Sequence, residues 1–311
     1  MQGSERTWTR REWIQATAAG AMTAAAGSTL WAAGGKRPLG VQVYTVRNLL
    51  KDQGPATFKA IAALGYTEVE ILHAGMAEQA AQAKAAGLAP VSLHIESPNV
   101  TGDWTAYSAA LKGAGLTAPP PTDFSKLAND AKALGVKYIV VAYLMQSERS
   151  QPGFFDRFAD AMNKAGETAR QAGLQLCYHN HGFEFEKGSD GKTVLETLMS
   201  RLDPARVKLE LDVFWVSLTG ADPVALLQKY TGRVALVHLK DKAAGVPAET
   251  NEGKVAPTTF KEVGSGSLDF RAILKAADAA GVEHYFVEQD QTPGDPVASL
   301  KKSYDYLQQF A

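Results

Sequence analysis

From Leu39 onward the chain alternates short aliphatic and β-branched runs with longer runs in which apolar residues recur every three or four positions. A period near two over four to eight residues marks a strand, and a period near 3.6 over ten or more marks a helix. On that reading Leu39 to Tyr44 is a first strand, and Ala56 to Leu64 a helix ending at Gly65. Further strands fall at 67–72, 90–95, 136–142, 174–179, 207–212, 234–239 and 283–288. Helices fall at 76–86, 154–172, 192–201, 223–230, 270–280 and 296–310, with a long loop at about 242–265. Between the third and fourth strands the helical pattern comes in two pieces, about 103–112 and 122–134. They are split by Gly115 and the run Pro119-Pro120-Pro121, which no helix interior tolerates. Gly65, Gly87, Gly135, Gly173, Gly232 and Gly281 each stand just before a strand, where a helix must end and the chain reverse.

Eight strands alternating with helices, in one composition regime, predict an α/β fold: a single (β/α)₈ TIM barrel over residues 38–311. A doubly wound open sheet usually needs fewer strands and a glycine-rich first turn, and Thr45-Val46-Arg47-Asn48 has no phosphate-cradling glycine. Residues 1–34 read separately. Arg10-Arg11 precedes a mildly apolar stretch, Ala16 to Ala33, built from small residues. This resembles a twin-arginine (Tat) export signal, with cleavage near Trp31-Ala32-Ala33-Gly34, and predicts a periplasmic protein; without export it would be cytoplasmic. The segment is too rich in small residues to serve as a stable membrane anchor.

The formal net charge of −1 and the scattered lysines and arginines exclude a nucleic-acid or anionic-membrane footprint. The single cysteine, Cys177, excludes an intramolecular disulfide and a Cys-rich zinc site. What changes the picture is where the polar residues fall. Barrel active sites form at the C-terminal ends of the strands. Those ends carry Glu70, then His94 and Glu96, then His179, Asn180 and His181. Glu210 and Asp212, His238, Lys240 and Asp241, and Glu288, Gln289 and Asp290 follow on the later strands. Burying such groups costs several kcal/mol unless they are paired or metal-bound. Carboxylates and imidazoles without thiolates suit one divalent ion, Mn²⁺, Co²⁺, Zn²⁺ or Mg²⁺. Such an ion polarises a carbonyl or hydroxyl and stabilises an enediolate.

Several segments carry a family likeness. They are Gly40-Val41-Gln42-Val43-Tyr44-Thr45-Val46-Arg47, Gly65-Tyr66-Thr67-Glu68-Val69-Glu70 and Tyr178-His179-Asn180-His181-Gly182-Phe183-Glu184-Phe185. Leu211-Asp212-Val213-Phe214-Trp215, Val237-His238-Leu239-Lys240-Asp241, Glu262-Val263-Gly264-Ser265-Gly266 and Val287-Glu288-Gln289 complete the set. In this order on successive strands they resemble the xylose isomerase-like superfamily of sugar phosphate isomerases and epimerases. The resemblance implies metal ligands at the ends of strands five to eight, commonly Glu, Asp, His and Glu. Asp212, His238 and Glu288 match the last three. Strand five departs, with His179-Asn180-His181 where relatives have a Glu-Asn-His-like run. Alternation puts Gln175, Cys177, His179 and His181 on one face, so His179 is the expected fourth ligand and His181 the fallback. A symmetric two-glutamate proton shuttle, as in the family's epimerases, is thereby in doubt.

The expected activity is a metal-dependent sugar isomerase or epimerase, with Glu288 as acid/base and ligand, and Glu210 or His181 as its counterpart. The same site could serve a lyase, dehydratase or hydrolase acting on a keto-sugar or inosose; a rival of another class is a non-catalytic periplasmic sugar-binding barrel. Tyr44, Phe214 and Trp215 would wall the pocket, and His94, Lys240, Glu70 and Asp241 would meet a sugar or polyol substrate. A homo-oligomer is compatible with the long loop, which would then be a lid or a subunit contact.

Overall fold

The outward-facing positions of the strands are apolar, most of them aliphatic, and they pack the barrel against its helices. The computed structural model describes residues 37–113 and 119–310. Its barrel strands are β1 (Leu39–Gln42), β2 (Glu68–Leu72), β3 (Ala89–Ile95), β4 (Tyr138–Val141), β5 (Gln175–His179), β6 (Val207–Asp212) and β7 (Val234–Leu239). Within the following loop β8 (Asp241–Lys242) and β9 (Phe260–Lys261) pair antiparallel, and β10 (His284–Val287) is the eighth barrel strand. Every barrel strand is parallel to its neighbours, and β1 pairs with both β2 and β10, closing the cylinder.

Val41, Val69, Ile71, Leu93, Ile139, Leu176, Tyr178, Leu209, Leu211, Val237 and Val287 face outward into a core shared with the helices. The helix Phe154–Ala172 shows the pairing logic. Phe154, Phe158, Met162, Ala165 and Ala169 recur at helical spacing on its buried side, and Gly173, at φ 82°, ends it in a left-handed turn. Inside the cylinder Val91, Tyr138, Val140, Cys177, Ala235, Leu236 and Phe286 form a separate apolar plug. Gly40 belongs to this layer: a Cβ there would run into the Phe286 ring.

The eight predicted strands are all present, and the structure adds features that the pattern did not show. β1 stops at Gln42, whose side chain accepts the Tyr44 N–H and starts a single 3₁₀ turn, so Tyr44 is not part of the strand. The first helix begins at Arg47 rather than 56, because Gln53 breaks it (φ −132°, ψ 19°) and Pro55 then sits in the first turn of the second half. Two register shifts, at Val69/Glu70 and at Leu209/Glu210, insert Val91 and Ala235 as extra residues in the partner strands. Each lies beside an inward carboxylate, and irregularities of this kind re-aim side chains near active sites. The segment read as an export signal, like Gly115, lies outside the described residues. Among those described, no helix is long and apolar enough to cross a membrane.

Candidate metal centre at the barrel mouth

Above the apolar plug the inward positions turn polar, and the side chains meet. His238 on β7 is fully buried among carboxylates from β2, β6 and the end of β10. Its Nε2 lies 2.6 Å from Glu70 Oε2 and 3.3 Å from Glu210 Oε2, while its Nδ1 lies 3.1 Å from Glu288 Oε2 and 3.9 Å from Asp212 Oδ2. One ring nitrogen thus faces down to Glu70 and Glu210, the other up to Asp212 and Glu288. His179 repeats the arrangement, with Nδ1 2.9 Å from Glu210 Oε2 and Nε2 3.8 Å from Asp212 Oδ2. His94 Nε2 completes the lower layer, 2.8 Å from Glu210 Oε2 and 3.0 Å from Glu70 Oε2. Gln42 Nε2 and Ser92 Oγ donate to the two Glu70 oxygens at 2.8 and 2.5 Å.

Two donor sets therefore share His238. His94, His179, Glu210 and His238 form the lower set, and Asp212, His238 and Glu288 the upper; within each set the donor atoms lie within 4.8 Å of one another. Asp212 splits its work. Oδ1 accepts the Trp215 N–H and caps the short helix Val213–Leu218, which the sequence pattern did not disclose. Oδ2 is buried and has no hydrogen bond among the described residues. Lys240 Nζ stands 3.1 Å from that oxygen, 2.7 Å from Glu288 Oε2 and 2.9 Å from Asp290 Oδ2. So Asp212, Glu288 and Asp290 face a single ammonium.

These residues fit a divalent cation. The Asp212 Oδ2, which makes no hydrogen bond among the described residues and meets only the Lys240 ammonium and the imidazoles, is a ready ligand atom. The His238 and Glu288 atoms are close enough to it for bonds of about 2.1 Å to a shared ion. Each imidazole that would ligate has its other nitrogen held by a buried carboxylate, Glu70 for His238 and Glu210 for His179. That support fixes tautomer and ring orientation in metal sites. The surrounding charges act on the imidazoles unequally. Burial alone would lower the His94 pKa, but the charges of Glu70 and Glu210 outweigh it and lift the imidazole to about 9. Burial, then the neighbouring His238, pushes the His179 proton affinity down.

The other predicted residues are distributed around this centre. His181 follows β5 and packs edge-on against Tyr143 and tilted against Trp215, ring centroids 4.8 and 5.3 Å away; its Nδ1 is buried without a hydrogen bond among the described residues. Phe214 stacks on Phe260 of β9 and Trp215 meets the same ring edge-on, and the Trp215 Nε1–H has no acceptor among the described residues. Tyr44 is 40% exposed, with the Arg47 guanidinium 4.0 Å over its ring. Glu70 is fully buried with both oxygens engaged. Asp241 is buried too, and its carboxylate accepts the N–H groups of Lys242, Gly264, Gly266, Ser267 and Leu268. It therefore anchors the loop after β9, and Gly266 is glycine because a Cβ there would strike Asp241 and the Lys242 carbonyl. Gly266→Ala should cost about 2 kcal/mol, the usual scale of overpacking. The melting temperature should drop by roughly 4–8 °C. An unchanged melting curve would show that the loop yields without cost. Sequence reading passed over Gln42, Ser92 and the Lys240–Asp290 pair; Asp290 stands two residues beyond Glu288, which was the available signal.

Over 198 residues the chain is 29% identical to an inosose dehydratase of Geobacillus thermodenitrificans. That match covers 57% of this chain and 65% of the dehydratase, just under two thirds of its length. A sugar phosphate isomerase/epimerase from Parabacteroides distasonis superposes with a TM-score of 0.69 at 24% identity, over 88% of this chain and 98% of that one. The IOLI protein, whose crystal structure holds a zinc atom, superposes with a TM-score of 0.63 at 17% identity, over 88% and 98%. Both are likenesses of fold. Residues 58–310 match the family described as xylose isomerase-like TIM barrels. With a closed eight-stranded barrel and its acidic and imidazole side chains gathered inside the C-terminal rim, the chain belongs to that family.

Proposed function

We propose that the protein is a divalent-metal-dependent enzyme that removes a proton beside the carbonyl of a polyhydroxylated ketone, a keto-sugar or an inosose, and completes the reaction by expelling water. The observation that carries this reading is the convergence of Asp212, His238 and Glu288 on one buried point. The strand-five position of the same rim holds His179 rather than a second glutamate. Asp212 Oδ2, His238 Nδ1 and Glu288 would hold the ion, with His179 Nε2 as fourth donor. A bound divalent ion supplies Lewis acidity toward the substrate's carbonyl oxygen.

The remaining chemistry belongs to the side chains. Glu288 meets His238 and Lys240 through Oε2, which leaves Oε1 for the substrate. Glu288 takes the proton from the carbon next to the carbonyl and returns it to the departing hydroxyl oxygen on the same face. Carbon loses a proton and its neighbour loses hydroxide, so one water leaves for each double bond formed. A stereoinverting reaction needs a second proton carrier on the opposite face. His179 does not supply one, since Nδ1 is tied to Glu210 and Nε2 faces Asp212. The Trp215 indole N–H and the Lys240 ammonium are the donors that would hold substrate oxygens. Relatives named inosose dehydratase accord with elimination. One observation favours the isomerase or epimerase reading: His181 Nδ1 is buried beside Trp215 with no hydrogen bond among the described residues, which leaves it available as a second proton carrier.

The test is incubation of metal-loaded protein with an inosose and with 3-keto-glucose in D₂O, followed by NMR. Elimination gives an unsaturated ketone in step with substrate loss. Deuterium in recovered ketone or a stereoisomer, without unsaturation, would replace elimination by epimerisation. Binding of the ketone with neither outcome, and without need of metal, would leave a sugar-binding barrel.

A further inference from the structure

We infer that Lys240 is a built-in counter-cation that competes with the divalent ion for Asp212 and Glu288, so that the ion enters only as the ammonium withdraws toward Asp290. The inference rests on the metal-site reading above and adds to it what sets the strength of that site.

Lys240 is fully buried, an unusual place for a lysine unless it is paired. Its Nζ lies 3.1 Å from Asp212 Oδ2 and 2.7 Å from Glu288 Oε2. These are the oxygens that face His238 Nδ1, so ammonium and ion would share the same two ligand atoms. An ion bonded at about 2.1 Å to Glu288 Oε2 would stand no more than about 5 Å from the ammonium in its present position. Two cations that close, among buried side chains, repel strongly.

The structure also provides the place to which the lysine retreats. Asp290 meets Nζ with both oxygens, at 3.1 and 2.9 Å. It lies further toward solvent than Glu288, its side chain 20% exposed against 7%. The Trp215 and Phe214 rings stand 5.6 and 5.8 Å from Nζ, faces that accept a cation. A flexible four-carbon stem lets the ammonium give up two partners and keep the third. Asp290 thereby becomes a positioning residue for metal entry, although it does not face His238.

The two residues make opposite predictions. Removing the competing charge with Lys240→Met should tighten metal binding by about tenfold or more, and removing the retreat with Asp290→Asn should weaken it by a similar factor, the usual scale of coupling between two sites. The experiment is calorimetric titration of chelator-stripped wild type, K240M and D290N with Zn²⁺, Mn²⁺ and Co²⁺ separately. The metal-induced rise in melting temperature is followed in parallel. A wild type that binds weakly or not at all beside a K240M that binds tightly supports the inference. Wild type and K240M binding with equal strength, or K240M binding more weakly, overturns it while leaving the metal centre intact. Silence from all three proteins would overturn the metal reading and this inference with it. If K240M does not fold without metal, D290N still decides, because there Lys240 retains Asp212 and Glu288: weakened binding supports the competition and unchanged binding refutes it.

Discussion

Asp212→Asn should strip the protein of its metal and lower kcat/KM by about 10³-fold, the loss that follows removal of one strong electrostatic stabiliser, while leaving the fold almost unchanged. The two oxygens of Asp212 do separate jobs, and asparagine divides them. Oδ1 accepts the Trp215 N–H, and an amide oxygen does that equally well. Oδ2 is the atom turned to His238 and the Lys240 ammonium, without a hydrogen bond among the described residues, and there the amide presents NH₂, a donor that no cation accepts as ligand. Asp212→Ala loses the cap as well and should cost a further 1 kcal/mol or so. Metal content by mass spectrometry, steady-state kinetics and a melting curve on the two variants distinguish the roles. Full metal occupancy and activity in Asp212→Asn would remove Asp212 from the centre and leave the capping role as its whole purpose.

How much of this could be read from the sequence depends on how local each cause is. The inward direction of His179 followed from alternation with Leu176 and Tyr178, and the structure puts both of those in the outer core and His179 inside. Strand existence was equally legible, because each strand's aliphatic face is written within six or seven residues. Side-chain roles set by distant partners were not. Glu70 was expected to meet substrate, yet its oxygens are engaged by Gln42 and Ser92 from β1 and β3, and that pairing depends on a register shift invisible to periodicity. Asp241 looked like a rim carboxylate, whereas Gly264, Gly266, Ser267 and Leu268 fold back to place their N–H groups on it. The motif Val263-Gly264-Ser265-Gly266 carried that information only as two glycines, without saying which carboxylate they spare. The helix Val213–Leu218 escaped because it is a short run of six residues, apolar except for Ser217, following a strand, where helix and buried strand look alike.

Glu210→Ala should be the most destabilising single change at the centre, lowering the melting temperature by roughly 10 °C. The reason is that the Glu210 carboxylate is the shared partner of three imidazoles. It is fully buried, and Oε2 alone is within 2.8 Å of His94 Nε2, 2.9 Å of His179 Nδ1 and 3.3 Å of His238 Nε2. Truncation leaves three imidazoles without that acceptor, and His94 loses one of the two charges that hold its proton. Removing one partner from a buried charged network costs about 3–5 kcal/mol, more than the side chain's own packing. Glu210→Gln separates charge from shape: it keeps the volume and one acceptor oxygen, so it should recover most of the melting temperature. It should still bind metal about 10- to 100-fold more weakly, because His179 no longer has an anion to orient and polarise its far nitrogen. Calorimetric melting and metal titration of both variants test the two halves. A Glu210→Ala protein that melts within a degree or two of wild type would mean that the imidazoles sit there neutral and are held by the barrel walls. The lower donor set would then be packing, not support for the metal centre.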